Sequence, residues 1–284
     1  MDVLDWDRQI QQVLRQCGQQ IQPLVSQQFV IEQKGPGDYV TNIDRLLDRQ
    51  LAAAFTQMFP GDGIITEENA QSRAIFHENY PQLWLIDPLD GTEDFIQGEQ
   101  SYAVMVGVLR QGEPIAGWVY APAQDLLYYG GPEWGVLEAQ GEEVGQLLKV
   151  SPPTCSPFSC RMLLGDKDRV NFGSAIAKFL PDVQFYSLGS FGLKVMEVIC
   201  GRAGLYIYLN GRVKLWDTVG PVALAKTAGL VCCDLEGNPL SFQPEAIHPE
   251  TLAHYQPIII GWPEYVEALR PKLKIAIASV SSSL

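Results

Sequence analysis

The segment Trp84-Leu85-Ile86-Asp87-Pro88-Leu89-Asp90-Gly91-Thr92 constrains this chain more than any other, because an apolar, strand-like run halts at a turn bearing two carboxylates three residues apart. Pro88 fixes its own φ and has no amide hydrogen, Gly91 permits tight backbone geometry, and Thr92 offers a hydroxyl where a short helix can begin. Such a turn aims both carboxylates, and a row of free backbone amides, at one small volume. Carboxylates suit hard divalent cations that prefer oxygen ligands, and amides at a helix start suit phosphate oxygens. The combination implies a metal-assisted phosphatase. Asp-Pro and Asp-Gly are also ordinary turn formers, and an Asp at a strand end often only hydrogen-bonds its own backbone. A magnesium site needs several oxygens, so the functional reading requires acidic residues at the ends of other elements.

Two more such places exist. Asp62 to Asn69 reads as a short apolar strand ending in Glu67-Glu68, neighbours that are costly unless solvated or bridged by a cation. The plainer expectation for this pair is a solvated loop. Val213 to Pro221 leads into Val222 to Gly229, a helix-like run with Gly229 near its end, which puts Asp217 at an N-cap. An N-cap Asp is usually only a cap, and Trp216 is expected in the core rather than against a substrate.

The surrounding pattern sets the fold class. Residues 2–29 are amphipathic, with Val3, Leu4, Ile10, Val13, Leu14, Cys17, Ile21 and Leu24 at helical spacing, and Ile43 to Phe59 forms a second helix. Tyr102 to Arg110, Ile115 to Tyr120 and Leu126 to Gly130 read as an antiparallel meander, so the first part is α+β. Ser151-Pro152-Pro153-Thr154 reads as a linker. It divides the chain into residues 1–150, with most of the acidic motif, and 151–284, with Asp217. The second part alternates Met162 to Leu164, a helix over Val170 to Leu180, Val183 to Tyr186, a helix over Phe191 to Cys200, Ala203 to Tyr208, the Asp217 helix and a strand at Leu230. That is α/β character. Ser281-Ser282-Ser283 reads as a frayed end.

Composition narrows the partners. With 46% apolar residues in 284, the chain is long enough for a substantial core. A formal net charge of −13 argues against a nucleic-acid-binding surface, which relies on clustered Lys and Arg. No stretch approaches the roughly 20 apolar residues that span a bilayer, so no membrane partner and a cytoplasmic setting are expected. The six cysteines have irregular spacing and read as reduced thiols. Cys232 and Cys233 lie side by side in a strand and point to opposite faces, which argues against a joint metal site.

Taken together, these pieces resemble the lithium-sensitive, magnesium-dependent phosphomonoesterases that include inositol monophosphatases and 3'(2'),5'-bisphosphate nucleotidases. The family signature is a distant Asp, Glu-Glu, Asp-Pro-(Ile/Leu)-Asp-Gly-Thr and Trp-Asp-x-x-Gly. Here it stands in order as Asp44, Glu67-Glu68, Asp87 to Thr92 and Trp216 to Gly220. The resemblance implies a layered α-β-α-β-α sandwich of the inositol monophosphatase and fructose-1,6-bisphosphatase type, often a homodimer, with the metal site between its halves. It implies that Glu67, Asp87 and the carbonyl of Leu89 bind one Mg2+ ion. Asp87, Asp90 and Asp217 bind a second, and a third, weaker ion is held near Glu67 and Glu68. Asp44 and Thr92 would activate the attacking water, with Glu67 counted alongside them in catalysis.

In the chemistry so implied, two metal ions neutralise the phosphate and one lowers the pKa of water, so no covalent phosphoenzyme is needed. The amides of Gly91 and Thr92, beside Asp90, would hold the non-bridging oxygens. The expected partner is a small phosphorylated metabolite. Glu93-Asp94-Phe95-Ile96 is closer to the Thr-Lys-Glu-Phe-Ile of bacterial bisphosphate nucleotidases than to inositol monophosphatases, although Glu93 replaces the lysine. Ser187 to Lys194 resembles the nucleotidases' Gly-Ser-Ser-Leu-Lys, and Lys194 would reach a second phosphate; helical periodicity alone makes it a solvated residue. Asn210 stands where inositol monophosphatases carry a Glu that hydrogen-bonds ring hydroxyls. The reading therefore favours 3'-phosphoadenosine 5'-phosphate as substrate. An inositol monophosphatase or broad sugar phosphatase is the alternative, and a catalytically degraded binding module of the same fold is a third.

Overall fold

The computed structural model describes residues 6–25, 29–35 and 37–281. Helix α1 (Asp7–Val25) buries Ile10, Leu14, Cys17 and Ile21, spaced four, three and four residues apart along one face. A short hairpin of β1 (Ile31–Gly35) and β2 (Asp38–Thr41) runs into α2 (Asn42–Met58). Thr41 caps that helix. Its Oγ1 accepts from the amides of Ile43 and Asp44, and its own amide donates to Asp44 Oδ2 at 2.8 Å.

A seven-stranded sheet follows in chain order: β3 (Gly63–Thr66), β4 (Leu83–Asp90), β5 (Ala103–Arg110), β6 (Glu113–Ala121), β7 (Leu126–Gly131), β8 (Gly135–Gln140) and β9 (Gln146–Leu147). β3 runs parallel to β4 and every other pairing is antiparallel. Both faces are covered, so the strands carry no polar alternation. Along β5, Val104, Val106 and Val108 pack with α1 and α2, while Ala103, Met105 and Leu109 face the opposite core. Trp84 stacks on Phe59 with ring centroids 4.0 Å apart on the α2 side.

The second sheet has the order β11-β10-β12-β14-β13, formed by β10 (Arg161–Leu164), β11 (Gln184–Tyr186), β12 (Leu205–Tyr208), β13 (Val231–Cys233) and β14 (Ile258–Gly261). Helices α5 (Phe191–Ile199) and α6 (Leu215–Thr227) lie between the two sheets, and α4 (Asp166–Phe179) and α7 (Pro263–Ser281) pack together on the outer face. The result is five layers, α-β-α-β-α. α6 approaches the first sheet closely, because glycines meet there. A Cβ on Gly107 would lie 2.3 Å from the Gly220 nitrogen, and one on Gly117 would lie 2.2 Å from the Gly220 oxygen.

The elements differ from the sequence expectation in places. The meander continues through β8 and β9, and the hairpin, a 3-10 helix at Ala70–His77, β14 and α7 were not anticipated. Val3 and Leu4 of the expected amphipathic helix lie outside the described residues, as do Ser282 and Ser283 of the expected frayed end, whereas Ser281 closes α7. All six cysteines are free thiols. Among the described residues, no helix is long and apolar enough to cross a membrane.

Candidate active site

The strand does not stop before the Asp87–Asp90 pair, as the sequence led one to expect: β4 runs to Asp90. Asp87 faces Met105 and Asp90 faces Ala103, so two residues on β4, Pro88 and Leu89, oppose the single Val104 on β5. In a regular strand, residues three apart point to opposite faces. The one-residue bulge cancels that alternation and turns both carboxylates to the same side. Pro88, which has no amide to offer a ladder, sits within it. Gly91 (φ 92°) follows as the N-cap of α3 (Thr92–Ile96), and a Cβ there would strike the Ser101 carbonyl oxygen at 2.8 Å and the Ser190 nitrogen at 2.9 Å.

Asp217 stands deeper in its helix than the sequence placed it. It is the third residue of α6, not its N-cap, and the cap is Lys214, whose amide donates to Asp217 Oδ2 at 2.7 Å. α6 carries Asp217 across the interlayer to Asp87 and Asp90, and one oxygen from each of the three carboxylates lies within 4.8 Å of the others. Neither the strand nor the helix alone assembles this group. Asp90 is fixed from the second half of the chain: its Oδ2 accepts from Ser190 Oγ, the N-cap hydroxyl of α5, and from the Gly192 amide at 2.9 Å.

Crowding three carboxylates together, with Asp87 buried and Asp217 half-buried, is electrostatically costly. Burial, then the charges of Glu67, Asp90 and Asp217, push Asp87 well above the usual carboxylate range. Burial raises Asp217 to about 7, with Lys214 opposing and Glu67 and Asp90 reinforcing. Burial also raises Asp90, against its hydrogen bonds from Ser190 and Gly192. A group held this way is poised to take a multivalent cation, which removes the mutual repulsion.

Asp44 and Thr92 meet as well. Thr92 Oγ1 lies 3.0 Å from Asp44 Oδ1 and 2.9 Å from the Leu89 carbonyl oxygen, both acceptors for its single proton. Burial raises the Asp44 carboxyl despite its bonds from Thr41. Glu67 and Glu68 depart from the solvated loop expected for them: their side chains are 15% and 8% exposed, and both pair with Lys34, at 2.9 and 2.7 Å. Burial works to raise Glu67, but Lys34 and Lys214 outweigh it and hold it low, whereas burial and the Glu67 charge lift Glu68 to about 7.

Two recesses adjoin at the carboxylates. One, of about 180 Å³, is lined by Glu67, Asp87, Leu89, Gly91, Thr92 and Glu93. The other, of about 210 Å³, is lined by Lys167, Lys194, Tyr206, Tyr208, Asn210 and Arg212. They share Gly37, Asp38, Asp90 and Asp217. Lys194 is buried, contrary to the solvated position that periodicity gave it. Its Nζ donates to the Gly189 carbonyl at 3.2 Å and lies 5.5 Å from the Tyr206 ring centre. Burial lowers its pKa while Asp90, Asp94, Asp166 and Asp168 hold it up. Asn210 lines the same recess, with its Oδ1 accepting from the Arg212 amide at 3.2 Å.

Sequence reasoning missed Lys34, Ser190, Lys214, Lys167 and Arg212. Ser190 alone left a trace, as a cap residue ahead of an apolar helical run.

The model described as the inositol monophosphatase family matches residues 3–273. The chain is 28% identical over 257 residues to the 3'(2'),5'-bisphosphate nucleotidase CysQ of Haemophilus influenzae, covering 89% of this chain and 91% of that protein. It is 30% identical over 216 residues to an inositol-1-monophosphatase of Mesorhizobium japonicum, covering 75% and 78%. An IMPase/NADP phosphatase solved with Mg2+ and phosphate superposes with a TM-score of 0.77 at 22% identity, covering 95% of each chain.

Proposed function

Because the chain belongs to the inositol monophosphatase family, whose members are phosphoric monoester hydrolases, we propose that it is a magnesium-dependent 3'(2'),5'-bisphosphate nucleotidase acting on a small nucleotide such as 3'-phosphoadenosine 5'-phosphate. The observation that carries the substrate reading is the adjoining pair of recesses, one carboxylate-lined and the other lined by Lys167, Lys194 and Arg212 with Tyr206 and Tyr208. An acidic chamber alone suits a metal-neutralised phosphate. A cationic, aromatic chamber beside it suits a leaving group that is itself phosphorylated and has a flat base. In a protein of net charge −13, that local excess of cations is selective.

In this proposal Asp87, Asp90 and Asp217 hold magnesium, joined by Glu67, Glu68 and the Leu89 carbonyl, and the convergence of three mutually repelling carboxylates supports the fit. Bound magnesium supplies positive charge against the phosphate and makes water more acidic. Thr92 Oγ1 receives the proton of the attacking water and passes its own to Asp44 Oδ1, 3.0 Å away. Burial raises the proton affinity of Asp44 and fits it to that task. The amides of Gly91 and Thr92 orient the phosphate oxygens, and Lys194 with Asn210 receives the far end of the substrate.

Family likeness alone extends the proposal to a cytoplasmic, lithium-sensitive homodimer. The inositol-1-monophosphatase relative keeps inositol 1-phosphate as a second candidate substrate. Side-by-side kcat/KM measurements on 3'-phosphoadenosine 5'-phosphate, inositol 1-phosphate and fructose 1,6-bisphosphate test the choice. A clear preference for the first is expected, and a clear preference for inositol 1-phosphate would refute the nucleotidase reading while leaving the phosphatase intact.

A further inference from the structure

α6 begins without a side-chain oxygen as its cap. Lys214 has none to offer the first-turn amides, and Asp217 Oδ2 is turned back onto the Lys214 amide at 2.7 Å. Residues 252–254, in the loop before β14, hold the helix start instead. The Leu252 carbonyl accepts from the Leu215 amide at 3.1 Å, the His254 amide donates to the Val213 carbonyl at 3.0 Å, and Ala253 pairs with Lys214 in an antiparallel bridge. Leu252 takes a left-handed φ of 56°, which a bulky apolar residue rarely adopts, and is fully buried there. His254 adds the side-chain contact: its Nε2 lies 2.8 Å from the Oγ1 of Thr218, one residue past Asp217. The His254 residue is 2% exposed, and the Phe242 ring stands edge-on to its imidazole with centroids 5.1 Å apart.

Burial lowers His254 to about 3, so its ring is neutral near pH 7. A neutral imidazole has one N–H and one bare nitrogen. Nε2 is engaged with Thr218, and Nδ1 has no hydrogen-bond partner among the described residues. A leucine would fill this place without leaving a polar atom unpaired, so the imidazole is costly here unless its single bond serves a purpose. We propose that His254 is a positioning residue for the metal centre, fixing the first turn of α6 through Thr218 so that the Asp217 carboxylate stays aligned with Asp87 and Asp90. The inference rests on the metal-centre reading above. Asp217 can share an ion with Asp87 and Asp90 only if α6 starts in one place, and its own hydrogen bond runs to Lys214, at the start of the same helix. Its anchorage to the surrounding fold therefore comes through its neighbours: Lys214 by way of Ala253, Leu215 by way of Leu252, and Thr218 by way of His254.

The experiment is calorimetric Mn2+ binding to the full chain for wild type, His254→Leu, His254→Gln, Thr218→Val and the His254→Leu/Thr218→Val double variant, with thermal melts of each in EDTA. His254→Leu and Thr218→Val should each weaken the tightest Mn2+ site about ten- to a hundredfold, the effect of removing a group that orients a metal ligand. The double variant should bind within twofold of the weaker single variant, because both substitutions delete the same bond. His254→Gln, whose amide can reach Thr218, should recover affinity to within threefold of wild type. Mn2+ affinities within twofold of wild type in both His254→Leu and Thr218→Val, whatever their melting temperatures, would make the contact structural only and overturn the proposal while the metal centre stands. Losses that multiply in the double variant would overturn it as well. Absence of Mn2+ binding in wild type would overturn both the proposal and the metal centre. Far-ultraviolet circular dichroism verifies folding, and if His254→Leu does not fold, Thr218→Val, which keeps the shape of the side chain, decides alone by the same twofold and tenfold limits.

Discussion

Gly107→Ala isolates the contact that places Asp217. Gly107 is on β5, and a methyl group there would sit 2.3 Å from the Gly220 nitrogen and 2.8 Å from its Cα, both backbone atoms of α6. Ordinary contact begins at 3.4 Å, so the helix must retreat by about 1 Å. No rotamer change relieves a clash between backbones, and overpacking of this kind costs about 1–3 kcal/mol. In a chain of this size that is roughly 2–10 °C in melting temperature. The functional effect should be larger. Asp217 lies three residues before Gly220 on the same helix and moves with it, and a displacement of about 1 Å at a reacting centre costs about a hundredfold. Thermal melts and kcat/KM on an aryl phosphate with magnesium read the two effects. Gly61→Ala is the control, because nothing lies within 4 Å of a Cβ there. If Gly107→Ala melts like wild type and keeps kcat/KM within twofold, the glycine contact does not set the site.

Asp217→Asn should abolish magnesium-dependent turnover yet stabilise the metal-free protein. Burial raises the folded Asp217 to about 7 from an ordinary 3.8. Folding therefore favours the protonated carboxyl, and the wild type loses stability as pH rises through that window. In EDTA, the advantage of the Asn variant should grow between pH 4 and 7 by about 1.4 kcal/mol per unit in urea titrations; an advantage independent of pH would contradict the buried-charge account. Lys194→Met should lower kcat/KM on 3'-phosphoadenosine 5'-phosphate about ten- to a hundredfold, the worth of a charged hydrogen bond, and leave a plain aryl phosphate within threefold. Equal losses on both substrates would remove Lys194 from leaving-group recognition. Thr92→Val, which keeps shape and deletes the proton relay, should reduce kcat by about 10²–10⁴ with Mn2+ affinity unchanged. Near wild-type kcat would assign the water activation elsewhere.

Local pattern carried the elements well where period and punctuation agree. Of the apolar positions Leu46, Leu47, Leu51, Ala54 and Phe55 on α2, Leu47, Leu51 and Phe55 are fully buried and Leu46 and Ala54 half-buried, while the apolar run of β5 is buried along its length. What local pattern could not carry is register. Asp87 and Asp90 were visible as a pair, but the bulge that aims both to one side depends on how β4 aligns with β5, and the segment read as a turn instead of a continuing strand. Asp217 lies three places inside the helix rather than at its N-cap because the cap is Lys214, a residue without a capping side-chain oxygen. Lys34 could not be singled out, since it acts on carboxylates 33 and 34 residues away. Ser190 lies 100 residues from the Asp90 it holds. Lys194 looked solvent-facing because helical periodicity records one packed face, and α5 is packed between two sheets.

Anomalous diffraction from crystals equilibrated with Mn2+ tests the central claim directly. The account predicts a manganese peak among the carboxylates of Asp87, Asp90 and Asp217, ligated from both halves of the chain. Strong manganese peaks elsewhere, with none at that cluster, would contradict it.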